Sequence, residues 1–85
     1  LSLHDALPIS VIDHDCIVGD FCHIAPHASL GGGVSLGRGV LIGAGAIILP
    51  GLLIEDYAVI GAGSVVTKNI SSRVTVVGNP AHALK

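Results

Sequence analysis

The sequence predicts an all-β fold: a parallel β-helix built from six-residue sides, three sides to a coil, ending in a short C-terminal tail. Three observations predict it. Counting in sixes from Ile12 gives Ile12, Val18, Ile24, Leu30, Leu36, Ile42, Ile48, Ile54, Ile60 and Val66, aliphatic at every step with no slip. Four residues into each step come Cys16, Cys22, Ala28, Val34, Val40, Ala46, Leu52, Ala58, Ser64 and Ile70, all apolar or small. Gly follows the aliphatic residue at Gly19, Gly31, Gly37, Gly43 and Gly61. An amphipathic helix needs apolar residues at a period near 3.6, and Gly is costly inside helices. A period of six with glycines fits short strands joined by tight turns. Each hexad then forms one side of a triangular prism, and successive coils pair as parallel strands about 4.8 Å apart.

Along the chain, residues 1–9 fit this pattern poorly. They read as a non-native leader similar to translated sequencing-adapter DNA, so His4 and Asp5 carry no functional weight. Residues 10–70 form the repeat domain. In the C-terminal part, 71–85, Ser71, Ser72 and Arg73 make a loop, and residues 74–77 read as a last short strand. Gly78-Asn79-Pro80 is a turn signal, and residues 81–85 predict a short helical tail. The chain has no Met, so it reads as a piece of a longer one.

Composition narrows the classes. Of 85 residues 51% are hydrophobic, yet there is one Phe, one Tyr and no Trp. The core must be narrow and lined by Val, Ile, Leu and Ala. A net charge of −2 with no basic run gives no support to nucleic-acid binding. The longest run without a charge or His, residues 39–54, contains Pro50 and falls short of the roughly 20 apolar residues of a membrane span. Cys16 and Cys22 are not at a usual zinc spacing. Both fall at inward positions, where thiols act as packing residues, and a reducing cytoplasm is the simplest setting.

The motifs are more specific than the repeat. His14-Asp15-Cys16, Cys22-His23-Ile24-Ala25-Pro26, Leu30-Gly31-Gly32-Gly33-Val34 and the closing VVGNPAHALK resemble the hexapeptide-repeat acyltransferases. Within them, the resemblance is to the family of sialic acid O-acetyltransferases and UDP-aminosugar N-acetyltransferases. It covers roughly residues 11–85. It implies a left-handed helix, a handedness that the general right-handed rule for parallel crossovers does not supply. It also implies acetyl-CoA as acyl donor, no metal, a homotrimer with each site between two prisms, and a sugar or nucleotide-sugar acceptor. In that family the His before an acidic residue is the proton acceptor, matched here by His14 and Asp15. A second His nine residues on, matched by His23, contacts acetyl-CoA. Family members also carry an N-terminal nucleotide-fold domain that binds the sugar and that this sequence does not include.

The register gives these residues a physical reading. Positions 18 apart stack, so His14 lies under Gly32, with Pro50 one coil further. His14 would take a proton from the attacking sugar amine or hydroxyl, worth about 10²–10⁴-fold. The Gly32 N–H would support the thioester oxygen as it becomes an oxyanion, worth roughly 3–4 kcal/mol. Asp15 would hold the other ring nitrogen, with Asp13 a rival for that role. Pro26, Ala44 and Ala62 form a second column whose small side chains leave a groove. With the resemblance, Ala44 and Ala62 become candidate cofactor contacts, and Lys68, Arg73 and Lys85 candidate phosphate contacts. Val40, Leu41, Ile47 and Leu53 are candidate interface residues.

Two rivals stand beside this reading. A γ-type carbonic anhydrase shares the repeat but holds zinc with three histidines, for which His14, His23 and His27 are available. A non-catalytic trimeric β-helix module is the other. O- and N-acetylation need the same base and stay open.

Overall fold

The computed structural model describes residues 11–84; the leader at 1–9 with His4 and Asp5, and Lys85, lie outside the described residues. Ten two-residue strands follow one another at six-residue intervals. They are β1 (Val11–Ile12), β2 (Ile17–Val18), β3 (His23–Ile24), β4 (Ser29–Leu30), β5 (Ser35–Leu36), β6 (Leu41–Ile42), β7 (Ile47–Ile48), β8 (Leu53–Ile54), β9 (Val59–Ile60) and β10 (Val65–Val66). They sort into three parallel sheets, the faces of a prism. The first face is β1-β4-β7-β10, the second β2-β5-β8, and the third β3-β6-β9, extended by β11 (Thr75–Gly78) and β12 (Ala81–Ala83).

The 18-residue register holds through these strands, with Ile12 opposite Leu30, Leu30 opposite Ile48 and Ile48 opposite Val66. Strand N–H groups donate to the coil above, as in Val11 to Ala28 and Ile17 to Val34, both at 2.9 Å. The second residue of each strand points inward. Ile24, Leu30, Ile42, Ile48, Ile54, Ile60 and Val66 are buried, while Ile12 and Val18, in the first coil, are half-buried. The corner residues Ala28, Val34, Val40, Ala46 and Ala58 complete the core.

The typical corner is a four-residue turn in which the carbonyl of the first residue accepts from the N–H of the fourth, as in Gly43 to Ala46 at 3.2 Å. Its third residue has positive φ, the signature of a type II turn. Gly fills that place at Gly33, Gly39, Gly45, Gly51 and Gly63, and L-residues tolerate it at Asp15, Phe21, His27, Tyr57 and Arg73. The glycines that open the turns serve a different need. A Cβ on Gly43 would lie 2.5 Å from the Ala62 N, so adjacent coils approach there too closely for any side chain.

The C-terminal end departs from expectation in three ways. Ile70 does not continue the corner column above Leu52. It bridges Ile54, and Val76 lies opposite Ile60, an offset of 16, so the last coil is two residues shorter. The Asn69 side chain compensates: its Oδ1 accepts the Leu53 N–H at 2.9 Å. The last strand spans Thr75–Gly78, one residue later than the predicted 74–77. The expected helical tail is strand β12, antiparallel to β11, with Val77 opposite His82 and Leu84 N–H donating to Thr75 at 2.8 Å. Five residues cannot repay the cost of helix nucleation, whereas pairing with β11 satisfies an exposed sheet edge.

Among the described residues no helix is long and apolar enough to cross a membrane. Cys16 and Cys22 are buried in the core, where their thiols lie near the carbonyls of Gly31 and Gly37, at 3.2 and 3.0 Å.

Ser64 stands in the corner column of Ala28 and Ala46, fully buried, and its hydroxyl has no hydrogen-bond partner among the described residues. A buried unsatisfied group costs about 1–3 kcal/mol. Ser64→Ala should therefore stabilise the fold by about 1 kcal/mol, read as a rise of roughly 4–8 °C in thermal midpoint. An unchanged midpoint would mean that the hydroxyl is satisfied.

Candidate functional site

The three edges of the prism carry different chemistry. The first runs between the β1 and β2 faces and contains the turn Asp13-His14-Asp15-Cys16. There the Asp13 carboxylate accepts the His14 backbone N–H at 2.7 Å. Asp15, at φ 62°, sets its Oδ2 3.1 Å from His14 Nδ1. Asp13 Oδ1 lies 3.9 Å from the opposite ring nitrogen, Nε2. The rivalry between the two carboxylates is thus resolved by geometry, with Asp15 on Nδ1 and Asp13 on the Nε2 side. The Asp15 contact favours the tautomer with the proton on Nδ1 and leaves Nε2 as an acceptor.

Gly32 lies directly above. A Cβ there would sit 3.1 Å from His14 Cε1 and 3.4 Å from Nε2, so the imidazole rests against the glycine as the register predicts. The turn is tied to the same coil: His14 O accepts from Gly33 N–H at 3.1 Å. The Gly32 N–H has no acceptor among the described residues. His14 and Asp15 are open to solvent, their side chains 78% and 85% exposed.

The second edge, between the β3 and β4 faces, carries Pro26, Ala44 and Ala62. Gly45 N–H donates to Pro26 O and Gly63 N–H to Ala44 O, so the column stacks as expected. A Cβ on Gly45 or Gly63 would meet nothing within 4 Å, which leaves this edge open. The N–H groups of Ala44 and Ala62 donate to no partner among the described residues. His23 points outward from β3, on the face opposite the His14 edge. A single chain therefore does not bring His14 together with His23, Ala44 or Ala62.

The third edge was missed by sequence reasoning. Arg38 stacks over Phe21 and Arg73 over Tyr57, each with its guanidinium carbon 4.8 Å from the ring centroid. The signal lay in the spacing of 17 and 16 between partners, close to one coil. Arg73 is thus committed to this edge and is not beside Ala44 and Ala62. Lys68 sits near the first edge, lining a cavity of about 330 Å³ with Ile70, Val74, Val76 and His82 at the C-terminal end, in the last coil, whereas His14 is in the first. Among the expected interface residues, Val40 is fully buried, because it is the inward residue of its turn. Leu41, Ile47 and Leu53 are exposed but lie on three different faces. Among the described residues no three His, Cys, Asp or Glu side chains gather where they could hold a metal ion.

The model of the bacterial transferase hexapeptide family, of six repeats, matches residues 33–68. PerB from Caulobacter crescentus, solved with CoA and GDP-perosamine, is 39% identical over 89% of this chain and 37% of its own, with a TM-score of 0.88. This chain is a left-handed parallel β-helix of transferase hexapeptide repeats. The same hexapeptide β-helix superposes on the UDP-N-acetylglucosamine O-acyltransferase of Moraxella catarrhalis RH4, 33% identical over 88% of this chain and 29% of that one, TM-score 0.87. It also matches the serine acetyltransferase of Brucella abortus strain S19, 38% identical over 87% and 33%, TM-score 0.82. The hexapeptide β-helix spans little more than a third of the length of PerB.

The His14 geometry predicts a measurable tautomer. The neutral imidazole should carry its proton on Nδ1, seen in the nitrogen shifts of the labelled ring. Asp15→Ala should shift the balance toward the Nε2-protonated form. A ring protonated on Nε2 in the unaltered chain would contradict the assignment.

Proposed function

We propose that this chain is the acetyl-transferring β-helix of an acetyl-CoA-dependent enzyme that N-acetylates an amino sugar carried on a nucleotide. The observation that carries the proposal is the His14–Asp15 pair laid against Gly32. It supplies an oriented base beside a backbone N–H with no partner in the described chain. Similarity to PerB, whose solved complex holds CoA and GDP-perosamine, supports both the donor and the acceptor class. The other two neighbours are named for different acceptors, yet each is named as an acyl transferase.

The chemistry follows from the residues. His14 Nε2 takes a proton from the acceptor's ammonium, and the lone pair so freed on the neutral amine attacks the thioester carbon. The N–C bond forms and the C–S bond breaks, and the extra proton on nitrogen passes to the departing thiolate. Gly32 N–H stabilises negative charge on the carbonyl oxygen, and Asp15 stabilises the imidazolium. No acyl-enzyme is needed, because both cysteines are turned into the core. Ala44 and Ala62 suit the donor's pantetheine arm: the edge is open, and two backbone N–H groups are available to it.

The site requires two chains. The His14 edge and the Ala44–Ala62 edge both border the β1-β4-β7-β10 face. In a three-fold ring with that face toward the axis, the His14 edge of one subunit meets the Ala44–Ala62 edge of the next. The face presents Val11 and Ile47 outward, 61% and 42% exposed, which suits it for burial. His23 on β3 adjoins the second edge and so comes within reach of the donor.

His14→Ala should lower the rate of thiol release from acetyl-CoA in the presence of acceptor by about 10²–10⁴-fold, with CoA affinity within about twofold, since the substitution leaves the Ala44–Ala62 edge untouched. An unaltered rate would remove His14 from the mechanism.

A further inference from the structure

We infer that Asp13 is the residue that makes this site select an amine over a hydroxyl, by holding the acceptor's ammonium between its carboxylate and His14 Nε2. The inference rests on the acetyl-transfer reading above and goes beyond it by assigning acceptor choice to one side chain.

Two carboxylates flank one imidazole, and only Asp15 is needed to orient it. Asp13 is held by its own contact: Oδ1 accepts the His14 backbone N–H at 2.7 Å, which fixes where the carboxylate stands. From there Oδ1 is 3.9 Å from Nε2. That is too long for a direct hydrogen bond. It is the separation at which one donor atom can sit between the two, at about 2.9 Å from each. A carboxylate oxygen that already accepts one hydrogen bond retains capacity for another, and the Asp13 side chain is 54% exposed.

An ammonium has three N–H bonds and fills both acceptors at once. A hydroxyl has one O–H. Donated to Nε2, it leaves an oxygen lone pair facing the Asp13 carboxylate, which repels it. The proton sequence balances. The ammonium gives one proton to Nε2 and becomes a neutral amine, still bonded to Asp13 through a second N–H. Its freed lone pair attacks the thioester carbon as the C–S bond breaks, and the surplus proton on nitrogen goes to the thiolate. The proton on His14 returns to solvent. Asp13 thus binds the acceptor in its stable protonated form, and His14 converts it to the nucleophile.

The test is calorimetric titration of the CoA-saturated chain with a nucleotide-linked amino sugar and with its hydroxyl counterpart. Asp13→Asn is the diagnostic variant, since its amide oxygen can still accept the His14 N–H while the charge is gone. The unaltered chain should favour the amine by about fivefold or more, as for a charge-assisted contact. Asp13→Asn should bring the ratio near one, and Asp15→Asn should leave it largely intact. A preference that survives Asp13→Asn, a preference lost equally in Asp15→Asn, or failure to bind either sugar overturns the assignment. Failure to bind CoA itself would instead remove the acetyl-transfer reading on which it rests.

Discussion

Hydrogen bonding between successive coils at an offset of 18 residues is the constraint on which the rest depends. The sides of the prism are only two residues long, so no strand holds itself together. Each is fixed by the N–H groups it gives to the coil above and the carbonyls it offers to the coil below. That ladder demands a turn every six residues, a third turn residue with positive φ, and coils close enough that a Cβ on Gly43 would strike the Ala62 backbone. It also sorts side chains. Whatever stands at one corner recurs above itself, so the edges become columns of distinct chemistry. Imidazole and carboxylates gather on one edge, small residues on a second, and guanidinium–aromatic stacks on the third.

Much of this was legible because it repeats. The aliphatic period gave the strands, their inward residues and the stacking of His14 on Gly32. Ala44 and Ala62 fell in one column for the same reason. The parts that were not legible are those where the period breaks or where a side chain leaves its backbone. The shortened last coil moved Ile70 from above Leu52 to above Ile54, and Asn69 supplied the missing acceptor. The tail paired with β11 because an open sheet edge was available, a tertiary fact no local propensity carries. Val40 was misjudged as an interface residue although its place in the turn made it inward. The pairing of Arg73 with Tyr57 depends on side-chain reach across the shortened coil. The choice between Asp13 and Asp15 needed distances, since both neighbour His14 in sequence.

The openness of the site follows from the same geometry. A triangular prism has convex edges, and a convex edge alone cannot exclude water or surround a substrate. His14 and Asp15 are accordingly exposed in the single chain. Two edges that border one face become neighbours when that face turns toward a three-fold axis, and a cleft forms where two convex surfaces meet. The division of the proposed base and the proposed donor groove between edges is then a consequence of the fold. The third edge, lying farthest from such an axis, carries the charged and stacked residues suited to solvent.

A site shared between two chains can be tested by mixing two inactive variants. His14→Ala removes the base but keeps the small-residue edge, and Ala62→Trp blocks that edge but keeps the base. When the two chains are unfolded and refolded together in equal amounts, random assembly of three-fold rings gives about a quarter of the interfaces an intact base facing an intact groove. Acetyl transfer should return toward that fraction of the unaltered activity. A mixture no more active than its parents, with mixed rings shown to form, would contradict a shared site and place the whole site within one chain.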